Sequence, residues 1–185
     1  LDALGAAAGV RGFEIADDPA AAPSPKGAPP RRSNPMTSSG LALAGANRRR
    51  SGADDGVLSA LEATDLDLVG TRLVVLSACQ TGLGDAATGH GVYGLRRALA
   101  VAGAESIVMT SWAVSDEVTA TLMERFYREL AAGAGRAEAL RTAQLAIASN
   151  PKTSHPYYWA AFVLAGDTRT LDGAAPPPPR PLAAT

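Results

Sequence analysis

Cysteine is nearly absent from this chain: Cys79 is the only one among 185 residues. An internal disulfide is therefore excluded, which fits a reducing, cytoplasmic location. Histidine is almost as scarce, with His90 and His155 alone. Two imidazoles far apart in sequence and a single thiol offer no metal-ligand cluster, so neither a metal nor another cofactor is expected. No apolar run approaches the ~20 residues of a membrane span, and no membrane partner is expected. The first residues lack the basic region of a secretory leader, and a chain that begins with Leu1 reads as a piece of a larger protein. Charge of one sign is lacking too. With 17 basic and 18 acidic side chains the net charge is −1. The basic cluster Arg48-Arg49-Arg50 has no interleaved aromatics and reads as a solvated loop, so no nucleic-acid partner is expected. A phosphate-binding loop is also missing, because Gly82-Leu83-Gly84 is followed by neither a third Gly nor a Lys.

Large apolar side chains are depleted in two segments. Residues 17 to 35 are rich in Ala, Pro and Ser, and the stretch from Gly173 to Thr185 contains Pro176-Pro177-Pro178-Pro179. Neither buries enough apolar surface to offset its ordering entropy. The expected organisation is a poorly ordered or degenerate segment over 1–35, one domain over 36–170 and a Pro-rich, disordered tail over 171–185.

Within the middle segment the patterns are sharper. Residues Gly40 to Asn47 alternate small and apolar side chains, as in a short strand, and Val10 to Ile15 is a weaker strand candidate. Val57 to Asp65 reads as a short helix, with Asp54 and Asp55 placed to cap it. Arg72 to Ser77 is a continuous run of β-branched residues and Leu, the pattern of a strand buried on both faces. Val92, Leu95, Leu99 and Ala102 recur at helical spacing, and Gly103 follows as a C-terminal stop. Ser106 to Trp112 is a second buried strand. Ser115-Asp116-Glu117 opens a helix whose apolar stripe is Val118, Leu122, Phe126 and Leu130. Ala137 to Ser149 is a further helix, with Leu140, Ala143, Leu145 and Ile147 available for burial, and Asn150-Pro151 ends it. Trp159 to Leu164 is the last strand, closed by Gly166-Asp167. Strand, helix, strand, helix, helix, strand predicts an α/β fold: a mostly parallel sheet between two helical layers, with ligands collecting beyond the carboxyl ends of the strands.

A lone cysteine is ordinarily a small buried hydrophobe. Cys79, however, follows the best strand by two residues and precedes a turn containing Thr81, Gly82 and Gly84. Glycines there let the backbone approach a substrate closely, and amides near Gly82 are positioned to favour a thiolate or a developing oxyanion.

The sequence Ser77-Ala78-Cys79-Gln80-Thr81-Gly82 shares an Ala-Cys-Gln core with the caspase signature. From Asn34 to about Asp167 the chain resembles a CHAT domain, the caspase-like module found with tetratricopeptide repeats in bacteria. The stretches that carry the resemblance are Ser39 to Asn47, Leu73 to Gly84, Gly91 to Ala98, Ala102 to Glu105, Ser111 to Asp116, Met123 to Tyr127, Ala137 to Arg141 and His155 to Phe162. It implies a three-layer, caspase-like αβα sandwich lacking its N-terminal part, and a cysteine endopeptidase in which Cys79 is the nucleophile. The His of the family's Cys–His dyad ends an upstream strand in Thr-His-Gly-Phe. The matching residues here, Val10-Arg11-Gly12-Phe13, put Arg11 at that position, and an arginine is no base near neutral pH. His90 reads as a surface residue at the start of a helix and His155 as a structural residue of the turn before the last strand. The resemblance also implies a substrate pocket walled by Trp112, with Asp116 and Asp85 on the same rim favouring a basic residue before the scissile bond. Helix capping is the plainer role for Asp116, and solvation for Asp85.

Three functions are compatible with these residues. The first is a caspase-like endopeptidase acting on protein or peptide substrates within a larger, repeat-containing parent. The second is an inactive interaction module that has lost its base. The third is a hydrolase of small esters or amides, for which no closed pocket is foreshadowed.

Overall fold

The structure is a computed structural model, and it describes residue 36 and residues 39–46, 56–76 and 90–175. Arg11, Asp54, Asp55, Cys79, Gly82, Asp85 and the strand expected over Val10–Ile15 lie outside the described residues. The chain divides into two compact units. One comprises residues 1–67 and 78–102, the other residues 68–77 and 103–185.

In the first unit, β1 (Gly40–Ala42) pairs antiparallel with β2 (Val57–Ser59), Leu41 facing Leu58. Helix α1 (Ala60–Ala63) follows β2 without a break. The residues expected to form one helix, Val57 to Asp65, thus divide between a strand and a helical turn. The β-branched start is drawn into the hairpin, and Ser59 then forms a capping box: its Oγ accepts from the Glu62 amide and its own amide donates to the Glu62 carboxylate. Helix α2 (His90–Val101) packs on α1 and buries Leu95, Leu99 and Ala98, as its spacing predicts.

The second unit holds a three-stranded sheet in the order β3 (Val74–Leu76), β4 (Ser106–Thr110), β5 (Phe162–Gly166). Strands β3 and β4 run parallel, with Val75 facing Val108, whereas β5 runs antiparallel to β4, with Leu164 facing Val108. A mostly parallel sheet was expected; among the described strands, one pair is parallel and two are antiparallel. The reason lies in the connection. Between β4 and β5 the chain passes through two helices, α3 (Asp116–Ala131) and α4 (Arg136–Ala148), which pack on each other. A helical hairpin returns the chain to the end of the sheet it left, so the next strand must run backwards. All five residues of β4 are buried, while those of β3 are half-buried, so the central position belongs to β4.

The core of this unit joins Val108 and Phe162 to Val118, Leu122, Phe126 and Leu130 of α3 and to Leu140, Ala143 and Ile147 of α4. Side chains such as Leu122 and Phe126, with no exposed surface, each contribute about 1.5 to 3 kcal/mol by burial. Leu145, expected to pack inward, lies on the exposed side of α4. At two glycines the backbone leaves no choice. Gly103 has φ of +109° and Gly166 has φ of +96°; a Cβ on Gly166 would stand 2.3 Å from the Glu105 carbonyl oxygen.

Candidate functional site

Because β3 and β4 are parallel, their carboxyl ends share one edge of the sheet. Cys79 is three residues beyond Leu76 in the chain and outside the described part; Trp112 is two residues beyond Thr110 and well described. Trp112 is 39% exposed, and its indole Nε1–H donates to the Tyr157 carbonyl at 2.9 Å. The hydrogen-bonding edge is therefore engaged in a residue that keeps solvent-exposed surface.

Tyr157 belongs to a 3-10 turn, Pro156–Tyr158, and residues 159–161, expected to begin the last strand, continue as a turn before β5. His155 and Pro156 start this turn, and the His155 Nδ1 accepts from the Tyr157 amide at 3.2 Å. That contact satisfies an amide at the start of the turn, the role of an N-cap. His155 is thus a cap, as its sequence context implied. Trp159 ties the same segment down by donating from Nε1 to the Ser154 carbonyl at 3.1 Å. Strand β5 begins only at Phe162, and its alignment is continued by the Ser111 amide, which donates to the Ala161 carbonyl at 2.9 Å.

Asp116 is the first residue of α3 and is exposed. Ser115 is the N-cap, its Oγ accepting from the Val118 amide at 3.4 Å, and Asp116 and Glu117 place negative charge in the first turn, where the helix dipole favours it. His90 opens α2.

Two features escaped the sequence reading. One is Gln144, a half-buried residue of α4 whose Nε2 donates to the carbonyls of Trp159 at 3.1 Å and Phe162 at 2.9 Å. The other lies at the opposite end of the sheet. Arg136, with no exposed side-chain surface, contacts Glu105 at 3.0 Å and Asp167 at 3.4 Å. Arg72 flanks Glu105 at 3.4 Å and Arg169 flanks Asp167 at 2.6 Å, making a chain of five alternating charges. Hydrogen bonds from the Arg169 guanidinium and amide, with the nearby charge of Arg136, hold the Asp167 carboxyl well below the usual carboxylate range. The sequence reading began this helix at Ala137 and so left Arg136 outside it; as the first residue of α4 its cation opposes the dipole and needs acidic partners.

Among the described residues no group of three or more His, Cys, Asp or Glu side chains is arranged to hold a metal ion. No helix among them is long and apolar enough to cross a membrane.

The described parts define a chain of mixed α/β construction, with two sheets and four helices. Residues 20–167 match the CHAT domain family, and the chain belongs to that family. It is also similar to tetratricopeptide repeat protein 28 of Homo sapiens and of Mus musculus, 34% identical over 116 residues in each case. The aligned region is 63% of this chain and 5% of each relative, so the chain spans only a small part of their length. Both relatives are mammalian, and the expectation of a bacterial parent gains no support from them.

Proposed function

We propose that this chain is a caspase-like cysteine endopeptidase domain, spanning residues 36–170 of a cytoplasmic parent that carries tetratricopeptide repeats. The observation that carries the reading is the parallel pairing of β3 with β4, which directs both strands toward one edge, together with the Ala78-Cys79-Gln80 sequence that follows β3. In this reading the Cys79 thiolate attacks the scissile carbonyl carbon, and amides of the turn at Gly82 hold the oxyanion. As the C–N bond breaks, the departing amine nitrogen takes from solvent water the proton that the thiol released on ionising; water then adds to the thioester, giving the carboxylic acid and the free thiol. Trp112 offers its exposed surface to a substrate side chain, and the acids Asp116 and Asp85 favour a basic residue before the cleaved bond. Membership of the CHAT family supports the fold this requires, a caspase-like αβα sandwich, and the printed names of the relatives support a repeat-containing parent.

A specific observation favours a second reading, an interaction module without catalysis. Both histidines of this chain follow Cys79 in sequence, and His155 is committed as a cap. Labelling by a peptidyl acyloxymethyl ketone with Arg at its reactive end separates the two. The endopeptidase predicts saturable labelling of Cys79 faster than that of free cysteine and abolished by Cys79→Ala. Labelling no faster than free cysteine assigns the chain to the second reading.

A further inference from the structure

The turn that presents Trp112 is built from backbone carbonyls, each held by a particular donor. Tyr157 O accepts from Trp112, Ser154 O from Trp159, and Ala161 O from the Ser111 amide. The carbonyls of Trp159 and Phe162 both accept from Gln144. Gln144 has no need of these bonds to be helical, since the backbone of α4 supplies the helix. Its neighbours on α4 one turn away or adjacent, Leu140, Ala143 and Ile147, are core residues. A half-buried amide in such a stripe is costly unless its protons are used. Here the nitrogen's two protons span the junction between the 3-10 turn and β5, the three-residue stretch that sets where Tyr157 stands relative to the end of β4.

We propose that Gln144 is a positioning residue for Trp112. By fixing the carbonyls of Trp159 and Phe162 it holds the turn in the shape whose Tyr157 carbonyl captures the indole N–H. Trp112, which keeps exposed surface, is then presented with its hydrogen-bonding edge spent. The subsite so formed recognises a side chain by stacking rather than by accepting a hydrogen bond, which suits a guanidinium or an aromatic ring. This inference rests on the reading of Trp112 as a wall of the substrate site.

The test uses the full chain with nitrogen-15-labelled tryptophan, the two indole signals being assigned with Trp112→Phe. Gln144→Met keeps length and helix propensity but removes both donors. Gln144→Glu turns an acceptor against two carbonyls. Gln144→Lys restores donors of similar reach. In the first two variants the Trp112 indole proton should exchange with solvent roughly tenfold faster, as expected for loss of one net hydrogen bond, and Gln144→Lys should return it toward the parent rate. Unchanged Trp112 exchange in Gln144→Met, or an equal acceleration in Gln144→Lys, overturns the proposal, whatever happens to the melting temperature. With the same peptidyl ketone, Gln144→Met should raise the half-saturating concentration several-fold and leave the limiting labelling rate unchanged. A parent chain that the ketone does not label, but whose Trp112 exchange responds as described, refutes the endopeptidase and leaves the positioning role standing.

Discussion

Replacing Arg136 by Met removes the central cation from the five-charge chain at the amino end of β4. The guanidinium has no exposed surface, and without it Glu105 and Asp167 face each other with only their outer partners, Arg72 and Arg169. Breaking a buried pair from one side costs about 3 to 5 kcal/mol, because a buried charge is left uncompensated. Here the stranded carboxylates are 32% and 19% exposed and keep one arginine each, so the expected cost drops to roughly 2 to 3 kcal/mol. A correction of the opposite sign applies at the start of α4, where removing a cation from the positive end of the dipole returns about 0.3 to 1 kcal/mol. The net expectation is a loss of about 2 kcal/mol, or roughly 4 to 8 °C in Tm for a chain of this size. Urea unfolding followed by the fluorescence of Trp112 and Trp159 measures it, both residues lying in the same unit as Arg136. The triple variant Arg136→Met, Glu105→Gln, Asp167→Asn removes the stranded charges together with their partner and should recover most of the loss. A change of less than about 0.5 kcal/mol in the single variant, the scatter typical of surface substitutions, would refute the argument that this cluster holds the sheet end together.

The carboxyls of Asp167, Asp172 and Glu62 are all depressed, chiefly by hydrogen bonds from Arg169, from Thr170 and from the Ser59 amide respectively. A depressed acid binds more protons unfolded than folded, so its stabilisation is complete above the ordinary value, near 3.8 for Asp and 4.5 for Glu, and is lost as pH falls below it. Thermal melts from pH 7 to pH 2 should show stability falling below about pH 4.5, and Asp167→Asn should make that fall shallower. Two glycines with similar φ make a further pair. Gly133 at +84° has nothing within 4 Å of an added Cβ, so Gly133→Ala should cost only the left-handed strain of about 1 to 2 kcal/mol. Gly166→Ala adds a backbone clash at 2.3 Å and should cost clearly more in the same melts; equal losses would contradict the steric account.

Much of the architecture was written in local pattern. The stripe Val118, Leu122, Phe126, Leu130 predicted both the helix and its buried face, because a 3.6-residue repeat admits one apolar side. Gly103 announced the end of α2 through a conformation that other residues avoid. Ser106 to Thr110 declared a strand buried on both faces by having no polar alternation. At the candidate site, the sequence singled out Trp112 and Asp116; in the structure Trp112 lies two residues beyond the end of β4, which stops at Thr110 rather than at Trp112, and Asp116 opens α3.

From Arg72 onward the sequence by itself therefore determined the kinds of the main strands and helices, their order and the chemical types available at the strand ends, because each depends on residues a few positions apart. The direction of β5, the division of Val57–Ala63 between strand and helix, and the partners of Gln144 and Arg136 were decided only by the folded chain. Gln144 reaches carbonyls 15 and 18 residues away, and Arg136 reaches Glu105 across 31. Nothing local distinguishes a glutamine that staples a turn from one that faces water. The difference is the free energy of burying its amide, and that exists only once helix and strand have packed.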